Sequence, residues 1–260
     1  YISDNMEEND DDGNQVVDLT TGQDDAPIFR IDLTGGSIPA NYDETKSVKF
    51  SEGPPSGGKN DGAMCRGAAI YIDFGDAPDS YGTSLAANGA RHEMRVYDPD
   101  TFTSDLMLGT NVGREVDGIA DNTAAVDDSA LGGEDGVTFT VGGTAGARTI
   151  KASVQYTTSN IAGALWAWMA VVDGSGAPAT TFVLAQRQGV GFNTQGSGGS
   201  HVFEWSVPDV AGSTYVRFRI CSEVQGSNVG ACDTPTGPAA DGEVEDYKVS
   251  FDLSPTAVTI

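Results

Sequence analysis

The chain of 260 residues carries 38 acidic against 14 basic side chains, a formal net charge of −24, and 38% hydrophobic residues. That length accommodates one large all-β domain, or one domain plus an arm, with a sizeable core. Nucleic acid and anionic membranes are disfavoured as partners, because phosphate contacts need clustered Lys and Arg and the sequence has no basic stripe. No run of about twenty apolar residues is present that would span a bilayer. Self-repulsion of this size destabilises a compact state unless salt screens it or divalent cations neutralise it. Extracellular Ca²⁺ would do so; adaptation to a saline habitat is the alternative.

The sequence opens at Tyr1 without a basic segment leading into an apolar one, which reads as a mature secreted form or an excised segment. Residues 1–26 hold nine acids and no Lys or Arg, a composition that predicts disorder in isolation. Short apolar patches at Val16-Val17, Ile28-Phe29-Arg30-Ile31 and Val48-Lys49-Phe50 are candidate strands, too weakly alternating to make a core of their own. Residues 1–70 are therefore expected to be an acidic N-terminal extension with short strands.

From residue 68 onward the pattern clears. A short strand over 69–74 enters the acidic motif Asp73-Phe74-Gly75-Asp76-Ala77-Pro78-Asp79-Ser80-Tyr81-Gly82; residues 80–87 can hold a helical turn, and 115–134 is an acid-rich loop. Strand-type runs follow at 137–141, 149–157, 165–172, 181–186, 201–207, 215–221 and 246–251. Their short spacing, with Gly, Ser and Asn clusters between them, predicts an all-β fold, a β-sandwich over residues 71–252. Within 215–221 the alternation sets Val216, Phe218 and Ile220 on a core face and Tyr215, Arg217, Arg219 and Cys221 on the other. Trp166 and Trp168 share a face of their strand, as core residues or as a sugar-stacking platform, core being the commoner use of such a pair. Residues 253–260 form a β-prone tail.

Cys221 and Cys232 enclose ten residues, a loop that a disulfide closes with a contribution of about 3 kcal/mol in an oxidising compartment; two free buried thiols are the alternative. Cys65 is then left free or pairs with another chain.

Several blocks recur in an order that resembles the GEVED-type module of bacterial surface and secreted proteins. They are the 73–83 motif, Gly89-Ala90-Arg91-His92, Glu115-Val116-Asp117-Gly118, Glu134-Asp135-Gly136-Val137, Tyr215-Val216-Arg217-Phe218-Arg219, and Asp241-Gly242-Glu243-Val244-Glu245-Asp246-Tyr247. The resemblance implies an extracellular β-sandwich, jelly-roll or immunoglobulin-like, used in adhesins and surface arrays, without catalysis. One departure is the loop after the Trp-containing strand, where relatives carry an Asp/Asn-rich stretch and this chain offers Asp173 alone.

Clustered carboxylates in Gly- and Pro-rich loops are Ca²⁺ candidates, because a hard cation takes six to eight oxygens and backbone carbonyls can complete the set. The candidates are Asp73, Asp76, Asp79, Asp117, Asp121, Glu134, Asp135, Glu243, Glu245 and Asp246. For each, the structural alternative is a carboxylate hydrogen-bonded to local backbone amides. Arg91 is expected to form a buried bidentate pair with a motif carboxylate such as Asp73 or Asp76.

Catalysis is not expected. His92 and His201 have no zinc-type spacing, no nucleophile elbow or phosphate loop is present, and a hydrogen-bonded structural role is the expectation for His92. The leading expectation is a self-assembling subunit of a calcium-stabilised surface filament or layer, in which the acidic arm or the tail adds a strand to an exposed sheet edge of the next copy. The alternative is a calcium-dependent adhesin module binding a peptide or a glycan.

Overall fold

The computed structural model describes residues 71–94, 97–125, 136–158, 162–190, 198–222 and 232–252, together with the backbone of five short strands before residue 71. The chain divides into two compact units, Tyr1–Ile70 and Tyr71–Ile260. The first contains β1 (Ile2–Ser3), β2 (Asp24–Asp25), β3 (Ile28–Arg30), β4 (Val48–Ser51) and β5 (Pro55–Ser56). Strands β1, β3 and β4 form an antiparallel sheet in that order, and β2 pairs with β5. The apolar patches at 28–31 and 48–50 are thus strands, whereas Val16-Val17, Cys65 and the tail 253–260 lie outside the described residues.

The second unit is a β-sandwich with an added layer. Its strands are β6 (Ile72–Phe74), β7 (Arg91–Glu93), β8 (Leu106–Leu108), β9 (Val137–Thr144), β10 (Ala147–Thr158), β11 (Gly163–Val172), β12 (Pro178–Val190), β13 (Gly198–Val207), β14 (Gly212–Ser222), β15 (Pro238–Ala239) and β16 (Glu243–Phe251). In one sheet β10 pairs with β13 along one edge and with β9 and then β8 along the other. The facing sheet runs β12-β11-β14-β16, antiparallel throughout. A small third sheet, β15-β7-β6, includes the parallel pair β15 and β7.

All seven strand runs expected between 137 and 251 are present, each extended at one or both ends. Pairing explains the extension. A ladder continues through polar or glycine positions as long as the neighbouring strand supplies partners, as from Arg148↔Val207 to Thr157↔Gly198. The helical turn expected over 80–87 is two 3₁₀ turns, Asp79–Tyr81 and Leu85–Ala87. Strands β7, β8 and β15, of two or three residues, were not expected, because segments so short carry no periodicity.

Period-two alternation builds the main core. Ile150, Ala152 and Val154 of β10, Leu165, Ala167 and Met169 of β11, Phe203 and Trp205 of β13, and Val216, Phe218 and Ile220 of β14 meet between the two sheets. Each fully buried large apolar side chain contributes about 1.5–3 kcal/mol relative to exposure. Over β11 and β14 the opposite face of the second sheet is buried too. Trp168, Ala170 and Tyr215 pack there with Phe182 and with Ala77 and Tyr81 of the first acidic motif. Trp166 and Trp168 stack with centroids 5.7 Å apart, so Trp168 is core while Trp166 stays partly buried beneath the Arg187 guanidinium.

Candidate functional site

The two acidic motifs meet across the β14–β16 half of the second sheet. Residue spacing on β16 decides where each carboxylate goes: Glu243 and Glu245 fall on the side of Ile220 and Phe218, whereas Val244 and Asp246 fall on the side of Arg219 and Arg217. Glu245 accepts from the Gly136 amide at 3.0 Å and from the Tyr247 hydroxyl at 3.0 Å, and Glu243 accepts from the Leu108 amide. These bonds tie β16 to the approach to β9 and to β8, fixing one edge of the sandwich.

On the other side, Arg217 and Asp246 form a fully buried bidentate pair, Nε to Oδ1 at 2.7 Å and Nη2 to Oδ2 at 2.6 Å. Oδ2 of Asp246 also accepts from the Ala77 amide at 2.8 Å, and Asp73 accepts from the Val244 amide at 2.6 Å. The remaining guanidinium protons of Arg217 go to the carbonyls of Tyr81, Gly82 and Pro235 and to the Thr83 hydroxyl. A bidentate pair of the kind expected for Arg91 is formed by Arg217. Arg91 is buried at the end of β7 opposite Phe74, and its Nη1 donates to the Gly89 carbonyl at 2.7 Å.

Arg219 lies one pleat further along the same face. Its Nε donates to Nε2 of His92 at 2.8 Å, and its other nitrogens donate to the carbonyls of Thr234, Thr236, Gly237 and Arg91. Because His92 accepts at Nε2, its proton sits on Nδ1 and is donated to the Asp241 carbonyl at 2.6 Å. Burial first, and then the neighbouring Arg219 cation, hold the His92 pKa well below the ordinary imidazole value. Burial, Arg217 and Arg91 pull Arg219 down to about 9, which leaves it charged at neutral pH. Tyr81, buried against Tyr215, is raised to about 12 and donates its hydroxyl proton to the Ala179 carbonyl.

Two motif glycines make the close approach possible. A side chain at Gly75 would run into the Asp246 carboxylate, and Gly242 adopts φ of +101° with its α-carbon against the Ile220 carbonyl. The disulfide Cys221–Cys232 is present and joins the end of β14 to the loop whose carbonyls at 234–237 receive the two arginines.

The sequence-derived candidates thus fall into three groups. Asp73, Asp76, Glu243, Glu245 and Asp246 are buried, Asp246 on the arginine side of β16 and Glu243 and Glu245 on the side of Phe218 and Ile220. Asp79, Asp117 and Asp121 sit at turns: Asp79 accepts from the Ser84 amide and hydroxyl, Asp117 from the Leu85 amide, Asp121 from the Thr123 amide. Hydrogen bonds from Thr123 hold the Asp121 pKa below the usual carboxylate value. Glu134 and Asp135 lie outside the described residues. Among the described residues no three His, Cys, Asp or Glu side chains converge closely enough to hold a metal ion. Asp173, in the loop where relatives have more acids, accepts from the Ser175 and Ala177 amides and shapes a turn.

The sequence reading missed the burial of Arg217 and Arg219 and the contact of Arg219 with His92. One signal was available. Cys221, a residue type that is usually buried, shares their face, so that face was not a solvated one.

A GEVED domain model matches residues 180–250, from β12 to the C-terminal part of β16. The chain therefore carries a GEVED-type domain, as its motifs resemble. No curated protein and no solved structure matches the chain. The matched span contains Arg217, Arg219, both disulfide cysteines and the Glu243–Asp246 carboxylates, while the 73–83 motif lies outside it. The hydrogen bonds from Ala77 to Asp246 and from Val244 to Asp73 join the two parts into one structure.

Proposed function

We propose that this protein is an extracellular structural subunit that assembles with copies of itself into a surface filament or layer, with calcium as counter-ion. One observation carries the reading: the carboxylates of Asp73, Glu243, Glu245 and Asp246 are engaged in internal hydrogen bonds that hold strands and loops in place. A polar centre arranged in that way supports a scaffold rather than a reaction. The disulfide fits an oxidising compartment, and no helix among the described residues is long and apolar enough to cross a membrane. Divalent cations reduce the repulsion between copies that each carry a net charge of −24. Their candidate ligands are the turn carboxylates Asp79, Asp117 and Asp121 together with Glu134 and Asp135. Negative-stain microscopy of the purified chain with Ca²⁺ and with chelator tests this: ordered polymers that disperse on chelation support it, and dispersed particles in both conditions refute it.

One feature favours the second reading, an adhesin module for a glycan or peptide. Trp166 is partly buried, packed against Trp168 and the Cys221–Cys232 bridge, and a sugar ring can stack on it once the Arg187 guanidinium above the ring swings aside. Glycan-array binding that Trp166→Ala abolishes would decide for this reading.

A further inference from the structure

The sandwich is closed at one end of its β9/β16 side and open at the other. At the closed end Glu243 and Glu245 clasp β8 and the start of β9. At the open end Val141, Gly142 and Gly143 of β9 face Phe251 and Asp252 across a cleft of about 370 Å³, with Arg148 at its wall. Alternation from Val137 and Phe139 aims Val141 at the core, opposite Ile150, yet Val141 is 39% exposed whereas Val137 is 8% exposed. Among the described residues, β9 pairs only with β10 and β16 only with β14, so both strands turn an unpaired edge to this cleft. Two open edges flanking an uncovered apolar position have the shape of a slot for one more strand.

We propose that this cleft receives residues 256–260 of a second copy as an added β-strand. The proposal rests on the self-assembly put forward above and names its contact. The segment 253–260 follows directly from Asp252, which lines the cleft, and spans up to about 26 Å when extended at about 3.3 Å per residue. It reads Leu253-Ser254-Pro255-Thr256-Ala257-Val258-Thr259-Ile260, rich in β-branched residues and without a charge. The charged residues lining the cleft are Arg148 and Asp252. Nη1 of Arg148 donates to the Asp252 carbonyl at 3.3 Å, and its Nε pairs with Asp209. In a chain of net charge −24, a strand without charged side chains is a contact through which two copies approach with less repulsion than through their acidic surfaces.

The test uses two complementary variants of the full chain. One lacks residues 253–260 and keeps the cleft. The other, Val141→Trp, keeps the tail and fills the cleft from the position whose side chain is aimed into it. The expected result in sedimentation velocity is assembly of the unaltered chain, a monomer for each variant alone with an unchanged far-UV circular dichroism spectrum, and a one-to-one heterodimer when the variants are mixed. Val141→Lys serves as the cleft variant if the Trp substitution disturbs the fold. Assembly by both variants alone overturns the tail-to-cleft contact and leaves self-assembly standing. An unaltered chain that stays monomeric with Ca²⁺ overturns the proposed function itself. If, in addition, the tail-deleted chain binds a labelled 253–260 peptide, the tail docks in its own cleft and the exchange between copies is refuted.

Discussion

The two faces of β14 are both buried, by different physics. Toward the facing sheet, Val216, Phe218 and Ile220 are covered by other apolar side chains, an interaction proportional to area and indifferent to direction. On the opposite face Arg217, Arg219, His92 and Asp246 are equally inaccessible, and there each donor needs a particular acceptor. The apolar face tolerates repacking, while the polar face holds one arrangement of loops or fails. Few segments of the 73–92 and 232–241 regions have regular structure of their own; what fixes their path is the fan of carbonyls around the two guanidiniums.

Removing one partner of the buried pair should produce the largest effect. Asp246→Ala leaves Arg217 charged and uncompensated and is expected to lose about 3–5 kcal/mol in urea unfolding. Phe218→Ala on the apolar face should lose a similar amount, about 3–5 kcal/mol. The comparison is sharpened by the double variant Arg217→Met with Asp246→Leu, which should recover most of the stability lost by Asp246→Ala, since an apolar replacement removes the desolvation penalty together with the attraction. A double variant as unstable as the single one would mean that the arginine's carbonyl contacts, and not the ion pair, hold the loops.

Opening the Cys221–Cys232 bridge comes next. Replacing both cysteines by Ser should lower stability by about 3 kcal/mol and raise proteolytic cleavage in the loop that carries Thr234 to Gly237. Equal protection in the presence and absence of the bridge would show that Arg217 and Arg219 suffice to hold that loop. Glu243→Ala, which strands the buried Leu108 amide, should cost about 1–3 kcal/mol and open β8 to hydrogen exchange ahead of the rest of its sheet.

The smallest effect is graded by pH. The folded-state pKa of His92 is depressed, so the unfolded chain takes up a proton first as pH falls below about 6.5. The contribution of neutral His92 is therefore complete above that pH and declines below it, by up to about 1.4 kcal/mol per unit, until the folded state is protonated as well. Arg219 and Arg217 face the imidazole and the Asp241 carbonyl binds its Nδ1 proton, so protonation sets a third cation beside two others and removes the acceptor of Arg219. His92→Asn should flatten the pH dependence of the unfolding midpoint between pH 6.5 and 5; an unchanged slope would assign it to the carboxylates instead.

The sequence by itself determined the long strands, the sandwich class and the module's motifs, and its cysteine spacing pointed to the disulfide. Alternation, turn residues and cysteine spacing are local properties that a linear pattern records, as in Val216-Arg217-Phe218-Arg219-Ile220. Only the tertiary structure decided that both faces of that strand are buried and that Asp246 meets Arg217 while Glu243 and Glu245 turn the other way. The covering layer comes in part from residues more than a hundred positions away and in part from the 234–237 loop, and an Arg on a strand looks the same in sequence whether water or a loop's carbonyls lie above it.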